Sequence, residues 1–154
     1  GIGQIERMKD YAKQNPNDLN VRMSLVQILG FTRRIDEAEL FIQEIFQANP
    51  KDIRFYQSIG AVYSTAGKSD KALEAYEKGL VIDSNNPGSY LGLASIYAQQ
   101  GRIEEAIKNY EKVLELKPDS PNIMKLYADL LRDNGKKREA LAMYKRSLEM
   151  LPTA

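Results

Sequence analysis

PGSYLGLASIYAQQGRIEEAIKNYEKVLELKPDS, residues 87–120, is the stretch whose reading decides the fold. Displaced by multiples of 34 positions it falls on degenerate copies of itself. Ala106 lands on Ala38, Ala72 and Ala140, Tyr110 on Tyr76 and Tyr144, and Gly101 on Gly67 and Gly135. Four copies of 34 residues and a leading 18 account for all 154 positions. A fixed period of roughly 20–50 residues marks stacked structural repeats, in which each unit buries its apolar face against its neighbours. The bounds that follow are a leading helix or half repeat over 1–18 and repeats over 19–52, 53–86, 87–120 and 121–154, forming one continuous array.

Within a repeat, the chemistry of each position predicts two helices. Tyr90, Leu93, Ala94 and Tyr97 recur at i, i+3, i+4 and i+7, which places them on one buried helix face. Gly101 then supplies a left-handed turn residue, and Ala106, Ile107, Tyr110, Val113 and Leu114 mark the facing stripe of a second helix. Asn86-Pro87 and Ser120-Pro121 read as a capping residue followed by a proline at the first helical position. Asp18 and Asp52 are the caps expected one and two repeats earlier. In the first repeat Val21, Leu25, Val26 and Leu29 form the stripe. Arg33 stands there at the glycine position and Gly30 lies three residues before it, so the first helix is expected to end early and this repeat to be the least regular. Ile5, Met8, Tyr11 and Ala12 predict a leading helix stopped by Asn15-Pro16-Asn17. The sum is an all-α chain of about nine helices in antiparallel pairs.

Composition narrows the chemistry. Apolar residues make up 43% and charged residues 28%, ordinary for a folded chain, and the net charge is +1, which creates no global field for nucleic acid or an anionic membrane. The sequence has no cysteine and no histidine, removing thiol chemistry, disulfides, common zinc sites and a histidine general base. No apolar run approaches ~18 residues. Glu104, Glu105, Asp129 and Asp133 lie on polar faces or at helix ends, and no phosphate loop or nucleophile elbow is present. No catalytic residue, cofactor or metal ligand is therefore expected. The basic runs Arg33-Arg34 and Lys136-Lys137-Arg138 read as solvated turns. Gly1 reads as a remnant of expression and the chain as an excerpt of a longer protein, soluble in cytoplasm or bacterial periplasm.

Tyr90, Leu93, Ala94, Tyr97, Gly101, Ala106, Tyr110 and Pro118, echoed by Tyr56, Gly60, Tyr63, Gly67, Ala72 and Tyr76, resemble the tetratricopeptide repeat family. That resemblance implies a right-handed superhelical solenoid whose first helices line a concave groove for extended peptides or partner helices. On this scheme the groove face comprises Met23, Gln27 and Phe31 in the first repeat, Arg54, Gln57, Ala61 and Ser64 in the second, Leu91, Ser95 and Gln99 in the third, and Lys125, Asp129 and Arg132 in the last. Some family members clamp acidic chaperone tails with basic groove residues. The corresponding places here, Met23, Gln27, Gln57, Ala61, Gly88, Gly92 and Ser95, hold no base, and that reading is set aside. The expected function is a non-catalytic scaffold that binds a segment of a partner protein, without nucleic acid or membrane insertion. The alternative is an assembly module, or homo-oligomer, that stacks through Leu141, Tyr144, Leu148 and Leu151 on an uncovered last helix.

Overall fold

The structure, a computed structural model, describes residues 2–152. The reading of Gly1 as a remnant, and the last two positions assigned to the fourth repeat, Thr153 and Ala154, lie outside the described residues. Among the described residues the chain forms nine helices and no strand: α1 (Ile2–Gln14), α2 (Leu19–Phe31), α3 (Ile35–Ala48), α4 (Ile53–Thr65), α5 (Ser69–Ile82), α6 (Pro87–Gln99), α7 (Ile103–Leu116), α8 (Pro121–Asp133) and α9 (Lys137–Glu149). They fall into two compact units, Gly1–Ser84 and Asn85–Ala154. In the first, α2 pairs with α3 and α4 with α5, while α1 and α4 flank α2. In the second, α6 pairs with α7 and α8 with α9, and α8 packs on α7.

The helix starts follow from side-chain capping. Asp18 accepts from the amide of Val21, Asp52 from that of Arg54 and Asn86 from that of Ser89, each at 3.0–3.1 Å, satisfying donors that have no partner inside the helix. Ser120, expected to act likewise, makes no side-chain cap bond; Pro121 at the first position leaves it one donor fewer to serve. The turns inside the hairpins share one geometry. Gly67, Gly101 and Gly135 have φ of 77°, 74° and 78°, and the next amide reaches back five residues, Lys68 to the Tyr63 carbonyl, Arg102 to Tyr97 and Lys136 to Leu131, at 2.8–2.9 Å.

The first repeat was expected to break this pattern, and it does not. α2 runs to Phe31 and has 13 residues, as do α4, α6 and α8. Arg33 itself adopts the left-handed conformation, φ 62°, and the Arg34 amide donates to the Leu29 carbonyl at 2.7 Å. The backbone bonds of the turn hold a residue whose Cβ disfavours it. Gly30 serves packing instead: a Cβ there would sit 2.7 Å from Val62 Cγ1, so its absence lets α2 approach α4. Arg33→Gly should therefore raise the melting temperature, by an amount equivalent to up to about 1 kcal/mol once the greater freedom of the unfolded glycine is counted. An unchanged or lowered melt would mean that the Arg33 side chain stabilises the turn.

The core of the first unit is built from Leu25, Leu29, Ile42, Ile45, Ile59 and Tyr63, all at most 2% exposed. Gly60 is a second close approach, since a Cβ there would meet the Tyr76 ring at 2.8 Å. In the second unit Ala94, Ile107, Tyr110, Tyr127, Leu131 and Ala140 form the buried cluster, with the Tyr110 and Tyr127 rings stacked 5.8 Å apart. The stripe of the first repeat needs one correction. Val21 is only half-buried, and the buried place belongs to Arg22, 5% exposed. Its guanidinium donates to the carbonyls of Ala12, Asn15 and Asp18 and to the carboxylate of Glu44, at 2.7–3.0 Å.

Candidate functional site

The outward side of α2 and α4 carries the first group of candidate residues. Two shallow depressions lie between these helices. One, of about 210 Å³, is bounded by Asn20, Met23, Asp52, Arg54, Phe55 and Ser58. The other, of about 280 Å³, is bounded by Gln27, Gly30, Phe31, Ser58, Ala61, Val62 and Thr65. Ser58 borders both, so they form one track. The structure thus brings Met23, Gln27, Phe31, Arg54 and Ala61 together. Gln57 and Ser64 are half-buried and border neither depression. Ser58 and Val62, which sequence spacing missed, take their place because they stand on the side of α4 turned to α2. Gly30 was the available signal, a residue without a side chain at a point where a second helix approaches.

Exposure sorts these residues further. Met23 is 9% exposed and floors its depression, whereas Phe31 is 90% exposed. The Arg54 guanidinium is engaged: it grips Asp52 with two nitrogens, the shortest contact being 2.6 Å. This bond, with the Arg54 amide, holds the Asp52 carboxyl down at about 2 and raises the guanidinium in turn. Arg54 therefore contributes to the start of α4 first and leaves the track nearly uncharged.

In the second unit Leu91 is half-buried and borders a depression of about 410 Å³, together with Gly88, Val113, Lys117 and Ile123. This depression stands two periods along from the smaller one of the first unit: Leu91 corresponds to Met23, Gly88 to Asn20, Asn122 to Arg54 and Ile123 to Phe55. Smaller side chains at three of these four places accompany the larger volume. Ser95, Gln99 and Lys125 are exposed, and Ser95 hydrogen-bonds the Tyr110 hydroxyl. Asp129 and Arg132 are not free charges. The Tyr144 hydroxyl donates to Asp129 and accepts from Arg132 at 3.0 Å, and Arg132 also pairs with Asp133 at 3.1 Å. The bond to Asp129, more than desolvation, raises the Tyr144 hydroxyl. Tyr144, placed in the end-stacking group, is thus half-buried and turned to α8. The rest of that group is open, with Leu141 at 56%, Leu148 at 68% and Leu151 at 47% exposure. Among the described residues no cluster of acids could hold a metal ion, and no helix is long and apolar enough to cross a membrane.

A tetratricopeptide repeat model matches residues 87–153, and a second model of the same repeat matches residues 60–101. The chain belongs to the tetratricopeptide repeat family. Its fold is shared with solved structures of the family at low identity. MamA aligns with a TM-score of 0.83 and 19% identity over 95% of this chain and 85% of that one. YrrB, described as a TPR protein with an unusual peptide-binding site, aligns with a TM-score of 0.76 and 14% identity over 98% and 80%. TTC0263, a thermophilic TPR protein of Thermus thermophilus, gives 0.69 and 21% over 97% and 82%. Among curated sequences, the protein O-mannosyl-transferase TMTC1 of Mus musculus is 31% identical over 72 residues, 47% of this chain and 8% of that protein. Its Homo sapiens counterpart is 26% identical over 83 residues, 54% of this chain and 9% of that protein. The chain spans less than a tenth of the length of these relatives. Tetratricopeptide repeat proteins are in general non-catalytic scaffolds for protein or peptide partners.

Proposed function

We propose that this tetratricopeptide repeat chain is a binding scaffold and that the track between α2 and α4 receives an extended peptide segment of a partner protein. The observation that carries this reading is Phe31, an aromatic side chain 90% exposed at the border of a depression that Gly30 and Ala61 keep shallow. A large exposed apolar group beside a concavity is the usual mark of a contact surface. Gln27 stands next to it with an amide that both donates and accepts, the complement of a peptide main chain. A peptide-binding site in YrrB adds weight by analogy.

The test is capture of partners from a host extract by the parent chain and by a Phe31→Ala, Gln27→Ala double variant. Both residues are exposed, so the variant should melt within about 0.5 kcal/mol of the parent while a partner of the track is lost from the captured set. Equal capture by both would move the site elsewhere.

A second reading, assembly through the end, is favoured by a comparison along the register. Leu141 is 56% exposed where Ile107 and Leu73, one and two periods earlier, are 9% and 8% exposed. Light scattering over a range of concentrations tests it, because end association gives a mass that rises with concentration.

A further inference from the structure

We propose that the outer face of α9 docks into the cleft between α1 and α3 of a second copy of this chain. The proposal rests on the assembly reading above and names its partner surface.

The first observation is a reversal of charge confined to α9. At the second position of the other second helices the array carries an acid, Asp36, Asp70 and Glu104; α9 carries Arg138 there. Seven residues on, Gln43, Glu77 and Glu111 give way to Lys145. The first change also sets a base against the helix dipole, where the others set a stabilising acid. A sequence that abandons its own locally favourable choice in one repeat has another constraint there. Arg138 and Lys145 flank the exposed Leu141 and Leu148 on one side of the helix, and neither makes an ion pair among the described residues.

The second observation is a surface of opposite sign on the other unit. The cleft between α1 and α3 measures about 510 Å³, the most voluminous of the depressions described, and is bordered by five acids and three bases, Glu6, Asp10, Asp36, Glu37 and Glu44 against Lys9, Lys13 and Arg22. Lys9 and Arg22 are already bonded to Glu37 and Glu44. Asp10 and Asp36 have no cationic partner among the described residues. Its apolar element is Leu40, 63% exposed, above the buried Phe41, and the exposed Tyr11 stands on the same helix as Asp10. An amphipathic helix laid in such a cleft sets Leu141 and Leu148 against Leu40 and brings Arg138 and Lys145 to Asp10 and Asp36, the helix-in-groove mode of recognition. The two patches differ, so the contact is heterologous and propagates from copy to copy into rings or open chains.

Sedimentation and light scattering of four samples test this. The parent should show a mass rising with concentration above the 17.5 kDa of one chain, less so at high salt. Arg138→Glu with Lys145→Glu, and separately Asp10→Lys with Asp36→Lys, should each weaken association at least about tenfold with far-ultraviolet spectra unchanged. An equimolar mixture of the two variants should recover it, since each supplies the patch the other lacks. Association of the cleft variant at parental strength, or a mixture no better than its components, would overturn the proposal while leaving assembly by another surface in place. A parent that stays at one chain at every concentration would overturn both. Binding of the parent to vesicles of phosphatidylserine, abolished by the α9 substitutions, with no effect of the cleft substitutions on mass, would assign the α9 face to a lipid surface and likewise overturn it.

Discussion

Arg22→Met is expected to destabilise the first unit by about 3 kcal/mol and to release α1 before the rest of the unit melts. Methionine keeps much of the length and volume of the arginine stem, so the loss is electrostatic more than a loss of packing. The guanidinium, 5% exposed, holds the carbonyls of Ala12 and Asn15 at the end of α1 together with that of Asp18. The last carbonyls of a helix have no partner of their own. Removing a charged donor from several buried acceptors costs about 1–3 kcal/mol for each one that water does not reach. Glu44, whose side chain is 38% exposed, is solvated at little cost. Hydrogen exchange is the discriminating measurement, because ~3 kcal/mol is about two decades in protection. Amides of α1 should lose that protection in Arg22→Met, while those of α9 keep theirs. A milder comparison is Tyr56→Phe, which removes the hydroxyl that donates to the Pro50 carbonyl at 2.9 Å, one repeat along, and should cost about 1 kcal/mol. Equal protection of α1 in parent and Arg22→Met would show that water satisfies these carbonyls unaided.

The same residue shows where reading the sequence stops. Arg22 occupies the column that holds Tyr56, Tyr90 and Met124 in the later repeats, yet a charged side chain in an apolar count reads as surface, and the stripe slid to Val21. Its partners are backbone carbonyls, which carry no residue identity, so no pattern of types could announce them. What periodicity and capping chemistry can fix, they fixed well. The caps at Asp18, Asp52 and Asn86 and the left-handed glycines fall where local rules place them, because those rules involve atoms within five residues of each other. The early end expected for α2 came from reading Gly30 locally, when its reason is Val62, 32 residues away. The track between α2 and α4 was legible to within one helical position. Phe31, Gln27 and Ala61 border it, but Ser58 and Val62 replace Gln57 and Ser64, since the wall of a groove is set by which side of each helix meets the other. The engagement of Asp129 and Arg132 by Tyr144 joins α8 to α9 and needed coordinates to be seen.

Stability should be flat through neutral pH and then collapse between about pH 10 and pH 12. Burial raises the phenols of Tyr63 and Tyr127 to about 12, helped at Tyr63 by Glu39 and Glu74 and at Tyr127 by Glu111, and Tyr56, Tyr76 and Tyr110 move in the same direction by burial. An unfolded tyrosine ionises near 10. Below that value both states are protonated and the folded chain holds its full stability. Above it the unfolded chain releases protons that the folded one retains, so stability falls with each further step in pH until the folded phenols ionise as well. With the two most shifted tyrosines withholding roughly 2 kcal/mol each at pH 12, the sum rivals the stability of a small domain. Melting curves and the tyrosinate absorbance should therefore change together. Lysines also lose charge in this range, which Tyr63→Phe separates. Tyr63 is 2% exposed and its hydroxyl makes no hydrogen bond among the described residues, so the variant should match the parent at pH 7 and outlast it at pH 11. If parent and variant decline alike, the alkaline transition belongs to the lysine ion pairs, such as Lys9 with Glu37 and Lys71 with Glu39, and the buried phenols ionise without unfolding the chain.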